Sequence, residues 1–151
     1  MDVKIVMTRY STSVAISRTV PHLTLLSRRV YAAATPELLG VNLKQVTMLA
    51  ALRDQGELPQ NTLCDMMRMT QNTVVTWLNE LEEAGYVSRV RDAEDRRKHN
   101  VALTSLGAVV LERAETELRR LEDETLSGLT ADERTQLRRL LAKALDAQTD
   151  E

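Results

Sequence analysis

The sequence predicts a mainly α fold: a helix–turn–helix followed by a small β-hairpin, flanked by long N- and C-terminal helices. Three observations carry that prediction. The 151 residues include only five glycines and three prolines, too few breaks for many short strands. Apolar residues recur at steps of three and four along most of the chain, the period of amphipathic helices. One stretch departs from that period: Val101 and Leu103 alternate with Asn100, Ala102 and Thr104, as in a half-buried strand.

The elements follow in order. Residues 1–17 mix β-branched and hydroxyl side chains without a helical period, and are expected to form an arm, either flexible or extended against a partner. Thr19 and Val20 lead into Pro21, which suits a first helical turn, and Leu23, Leu26, Val30 and Ala33 continue at helical spacing. Thr35-Pro36 opens a short helix that Gly40 closes. Asn42 caps a helix carrying Val46, Leu49, Ala50 and Leu52, with a break over Arg53–Gly56. Leu58-Pro59 is expected to start the next helix, with Leu63, Met66 and Met67. Thr70 caps another, carrying Val74, Trp77, Leu78 and Leu81, and Gly85 ends it. Tyr86–Val90 and His99–Leu103 form the hairpin around a charged tip, Asp92–Lys98. Thr104 caps a long helix with Leu106, Val110, Ala114, Leu118 and Leu121 on one side. Ser127-Gly128 breaks it, and Thr130-Ala131-Asp132-Glu133 reads as a capping box opening a last helix with Leu137, Leu140, Leu141 and Ala144.

Composition excludes several classes. With one cysteine there is no intramolecular disulfide framework and no multi-Cys zinc site. No long apolar run suggests a membrane span, and the first residues carry Lys4 and Arg9 without a secretory core and cleavage site, so a cytoplasmic protein is expected. Two histidines, one cysteine and scattered serines make no nucleophile–base pattern, and no Gly-rich phosphate loop or HExxH is present. No enzyme, cofactor or metal site is expected.

A formal charge of −2 excludes a uniformly basic nucleic-acid binder but not a local basic patch. Residues 1–58 hold seven basic and four acidic groups, residues 59–103 six and seven, and residues 104–151 seven and eleven. Within the middle part, Arg89, Arg91, Arg96, Arg97 and Lys98 lie in the hairpin, while Glu80, Glu82 and Glu83 end the helix before it.

A helix–turn–helix reads DNA by laying its second helix in the major groove. On residues 70–84, Val74, Trp77, Leu78 and Leu81 share one side. The opposite side holds Asn72, Thr76 and Asn79, with Val75 at its edge and Gln71 and Thr73 near the amino end. Amides can pair with adenine, threonine can bond either way, and valine can touch a thymine methyl; a plain solvated polar face is the alternative. No Lys or Arg occurs between Met69 and Ser88, so the hairpin arginines, Lys98 and Arg68 in the turn must supply the attraction to phosphate.

The run LPQNTLCDMMRMTQNTVVTWLNELEEAGYVSRVRDAEDRRKHNVALTSLG resembles the winged-helix core of the MarR family of bacterial transcriptional regulators. TVVTWLNELEEAGYVSR, DAEDRRKHNVALT and LTSLG are its most specific parts, and the resemblance extends over about residues 20–145. It implies a mainly α winged helix–turn–helix whose hairpin is the wing, over residues 42–103, with residues 18–41 and 104–151 forming helical dimerisation arms. In the family's wing pattern, Asp95 would orient Arg97 for insertion into the minor groove, with Arg96 and Lys98 at phosphates or in solvent. Four positions depart from the pattern. Ala93 stands where many relatives have Pro, and Pro59 replaces a Thr or Ser cap. Arg68 stands where Gly is frequent, and Val75-Thr76 replaces a Thr-Arg pair, which implies a different operator.

The resemblance further implies a homodimer on a pseudo-palindromic double-stranded operator, a repressor relieved by a small phenolic or aromatic acid. Leu118, Leu121, Leu137, Leu140 and Leu141 give more apolar helix surface than a winged helix alone needs, and are the candidate dimer contacts. Arg18, His22 and Arg29 are candidates to pair with a ligand carboxylate, a satisfied surface histidine being the alternative for His22. Cys64, beside Leu63, reads as a small buried hydrophobe, with a redox sensor as the alternative. The rival to DNA binding is a winged helix used for protein contacts.

Overall fold

The computed structural model describes residues 18–91 and 99–146. The expected arm over residues 1–17 lies outside them. Ten elements follow one another: α1 (Thr19–Ala33), α2 (Pro36–Leu39), α3 (Leu43–Gln55), β1 (Leu58–Pro59), α4 (Gln60–Met67), α5 (Gln71–Glu83), β2 (Val87–Arg91), β3 (His99–Leu103), α6 (Ser105–Thr125) and α7 (Ala131–Asp146). The mainly α winged helix–turn–helix expected from the sequence is the fold observed.

Local chemistry sets most of the boundaries. Thr35 accepts the Leu38 N–H at the start of α2, and Gly40 ends it at φ 83°, a left-handed conformation that glycine adopts without a side-chain clash. Asn42 Oδ1 accepts from Gln45 N at 2.9 Å, and Gln45 Oε1 accepts from Asn42 N at 3.0 Å, a reciprocal capping box. Thr130 and Glu133 form a second one at α7. Thr104 Oγ1 accepts from Gly107 N at 3.0 Å and donates to the Gly85 carbonyl at 2.6 Å, so one hydroxyl caps α6 and holds the turn that ends α5.

The hairpin belongs to a three-stranded antiparallel sheet ordered β1-β3-β2. This corrects the expectation that Leu58-Pro59 starts a helix: Leu58 pairs with Val101 and Pro59 with Asn100, and the helix begins at Gln60. Pro59 sits at an edge of the sheet, where the missing N–H breaks no ladder bond. Across the hairpin Val87 pairs with Leu103, Arg89 with Val101 and Arg91 with His99. The break after α3 is also shorter than expected, since the helix continues to Gln55 and turns at Gly56, φ 81°.

One core joins the layers. Met48, Leu49 and Leu52 of α3, Leu63 of α4, Val74, Leu78 and Leu81 of α5, Val87 and Val101 of the sheet, and Leu111 and Ala114 of α6 are all buried. The apolar face of α6 is the expected one at Val110, Ala114, Leu118 and Leu121, which are buried or packed partly against the core, but it is broader and leaves Leu106 outside. Gly107, Leu111, Ala114 and Leu121 are buried, whereas Leu106 is 52% exposed. Gly107 packs so closely under Tyr86 that a Cβ there would collide with the Tyr86 carbonyl. Trp77 is half-buried at the rim of the core, with Lys44 Nζ 5.9 Å from its ring centroid. Helices α1 and α7 bury no residue fully within the chain. Among the described residues no helix is long and apolar enough to cross a membrane.

Candidate nucleic-acid interface

The helix α5 is held with one face in the core and the other open. Val74, Leu78 and Leu81 are buried, and Gln71, Asn72, Thr76 and Asn79 are exposed. Thr70 caps the helix by accepting from Thr73 N at 3.4 Å, and the two threonine hydroxyls lie 2.9 Å apart, so Thr73 is partly used by the cap. Val75 is half-buried rather than fully outward. Thr76 Oγ1 donates to the Asn72 carbonyl at 2.9 Å, which spends its proton and leaves oxygen lone pairs and a methyl group outward. The side chains of Gln71 and Asn72 have no hydrogen-bond partner among the described residues and keep both amide functions available. These groups lie on the first turns of the helix, where a groove-reading helix meets base edges.

The basic residues divide in two. Arg68 is exposed in the turn between α4 and α5, with φ 50° and ψ 46°, its backbone N–H bonded to Asp65 O and Cys64 O. Arg91 is exposed at the end of β2. Arg89, two residues earlier, is turned to other work. Its guanidinium forms an ion pair with Glu82 and donates through Nη2 to Asn79 Oδ1 at 2.6 Å, and its backbone N–H reaches Glu82 Oε1 at 3.3 Å. On the other side of α5, Gln45 Nε2 donates to Glu80 Oε2 at 2.7 Å. Asp95, Arg96, Arg97 and Lys98, the expected wing tip, lie outside the described residues.

A family model described as MarR family matches residues 39–98, the stretch from α2 to the wing. The chain is 30% identical over 119 residues to the HTH-type transcriptional repressor Rv2887 of Mycobacterium tuberculosis, covering 79% of this chain and 84% of that protein. The chain belongs to the MarR family. The fold is likewise similar to solved structures of such proteins. A probable transcriptional regulator from Pseudomonas aeruginosa has a TM-score of 0.74 at 26% identity, with 84% of this chain and 96% of that chain covered. A mutant MarR from E. coli complexed with operator DNA has a TM-score of 0.72 at 24% identity, with 83% and 92% covered.

The chain thus carries the fold of a MarR-family transcriptional regulator, and the remaining candidates can be placed on it. Leu121 is 9% exposed and Leu118 packs half-buried against the core, so both are used within the chain. Leu140 is 51% and Leu141 39% exposed. A groove of about 420 Å³ between α1, α6 and α7 is lined by Leu26, Val30, Leu118, Leu121, Leu137 and Leu141, with Arg134 and Arg138 at its polar side. Arg18, His22 and Arg29 do not line it. They are exposed at or along α1, and His22 Nδ1–H donates to the Arg18 carbonyl at 2.9 Å. Cys64 is half-buried against the core, and burial, reinforced by the Asp65 charge, pushes its thiol up from the usual cysteine range.

Sequence reasoning did not find Gln45, Glu82 and Gly107 as organisers of this region. A signal for Gln45 was present, since Asn42-x-x-Gln45 is the capping-box spacing. The Glu82–Arg89 pairing bridges the Gly85 turn and has no local spacing rule to announce it.

Proposed function

We propose that the protein is a homodimeric repressor that binds a pseudo-palindromic double-stranded operator and is released by a small aromatic or phenolic acid. The observation that carries the reading is the split of α5 into a buried apolar face and an open face of amides and hydroxyls. On this reading residues 42–103 bind DNA. Gln71, Asn72, Val75 and Thr76 face base edges, with Thr73 and Asn79 at the rim. Arg68 and Arg91 meet phosphates beside Arg96 and Lys98, and Arg97, oriented by Asp95, enters the minor groove. The operator-bound mutant MarR, of similar fold, supports the docking mode.

Residues 18–41 and 104–151 would then form the dimer. Support comes from α1 and α7, which bury no residue fully and leave Val20, Leu23, Leu25, Tyr31, Leu140 and Leu141 exposed, and from the apolar groove that they form with α6. Arg18, His22 and Arg29 share one face of α1 by helical spacing and offer two cations to a ligand carboxylate. The protein would act in the cytoplasm, and its slight negative charge keeps non-specific DNA affinity modest.

The test is selection of sites from random-sequence DNA, followed by titration at rising salt. A regulator enriches one sequence and binds it with a steep salt slope. Absent, sequence-blind or salt-insensitive binding supports a winged helix used for protein contacts instead.

A further inference from the structure

We propose that Arg89 is a positioning residue that locks the wing to the recognition helix through Glu82 and Asn79, and does not bind phosphate. Resting on the DNA-binding reading above, this goes beyond it by separating two arginines on one strand. Val87, Arg89 and Arg91 follow the two-residue period of β2. Val87 is buried in the core, Arg89 has a side chain 24% exposed, and Arg91 is exposed at the end of the strand. At Arg89 one carboxylate accepts both from the guanidinium and from the backbone N–H, which fixes strand against helix at two points. The second arm of the guanidinium takes Asn79 Oδ1.

Two consequences follow from the inventory of donors. Guanidinium has no acceptor, so the Asn79 atom facing it must be the carbonyl oxygen. Asn79 thus spends one of the two lone pairs of Oδ1 on the guanidinium, so its pairing with adenine, which needs both ends of the amide, is left to the remaining lone pair and the NH2 group and constrained by the Arg89 contact. Glu82, which alone would repel DNA at the end of the recognition helix, is neutralised by the same contact.

Arg89→Met and Glu82→Met, with the double variant as a control for folding, separate positioning from phosphate binding. The probes are a duplex carrying the site that the wild type selects from random-sequence DNA, and a scrambled duplex of the same length. Positioning predicts that both single variants lose preference for the selected site by about tenfold or more while the slope of log affinity against log salt is unchanged. The double variant, which leaves no half-buried charge unpaired, folds and shows the same loss. A phosphate-binding Arg89 gives a different pattern. The slope falls by about one per chain in Arg89→Met, and Glu82→Met binds as well as the wild type or better, because an acidic group has left the interface. That pattern overturns the proposal, as does full site preference in all three variants. A wild type that selects no site overturns the DNA-binding reading itself, a result distinct from either.

Discussion

Gln45 Nε2 donates to Glu80 Oε2 at 2.7 Å, tying the capped start of α3 to the recognition helix. Gln45 is 5% exposed, and its other amide atom accepts the Asn42 N–H. One buried side chain thus closes a helix cap and anchors α5 from the side opposite Arg89. Gln45→Leu keeps the volume but removes both bonds, and should cost about 1–3 kcal/mol. Urea unfolding checks this; a loss of a few tenths would show that the bridge contributes nothing measurable.

Gly107→Ala should be far more damaging than its one methyl group suggests. The added Cβ would meet the Tyr86 carbonyl and Leu103 Cδ1, at the point where α6 starts beneath the turn that ends α5. Backbone cannot rotate away as a side chain can, so about 3 kcal/mol or more is expected. Gly128→Ala is the control, since nothing lies within 4 Å of a Cβ there. Equal unfolding midpoints for the two variants would contradict the packing account.

Arg68→Gly should separate stability from function. Arg68 holds φ 50° with a side chain that disfavours it, and it is the only non-glycine with positive φ among the described residues. Relief of that strain, offset by the greater chain entropy of glycine, should stabilise the protein by a few tenths to about 1 kcal/mol. DNA binding should weaken at all sequences alike, with a salt slope smaller by about one per chain. Unfolding and fluorescence anisotropy measure the two effects; unchanged affinity would remove Arg68 from the interface.

Cys64 should behave as packing rather than as a sensor. Burial comes first and the Asp65 charge second in pushing its thiol up. A raised value favours the protonated form, so the reactive thiolate is scarcer near neutral pH than in an exposed cysteine. Alkylation by iodoacetamide should be slower in the native protein than in urea, and peroxide should leave DNA binding intact in wild type and Cys64→Ser alike. Release by peroxide in wild type but not in Cys64→Ser would establish the redox alternative.

The elements most legible in the sequence were those with a local cause. Thr35, Asn42, Thr70, Thr104 and Thr130 each stand at a helix start because a side-chain oxygen there meets an orphan N–H, and that chemistry is confined to four residues. The open face of α5 was legible for the same kind of reason, one helix and one period. What escaped depends on contacts across the fold. Leu58-Pro59 becomes a strand only because β3 returns beside it, with Leu58 paired to Val101, 43 residues later. The exposure of Leu106, the close approach of Gly107 to Tyr86 and the engagement of Arg89 by Glu82 and Asn79 depend on contacts that no window of sequence contains.

The most direct test of the central claim is footprinting of the selected site together with the mass of the complex in solution. Two chains reading one face of DNA predict an inverted repeat with half-site centres about 34–36 Å apart, or a multiple of one turn, bound by two copies of the chain. Leu140→Glu with Leu141→Glu, both on exposed positions of α7, should abolish that complex while leaving the chain folded. A single asymmetric site bound by one chain, or a monomeric double variant that still protects the full repeat with wild-type affinity, would contradict it.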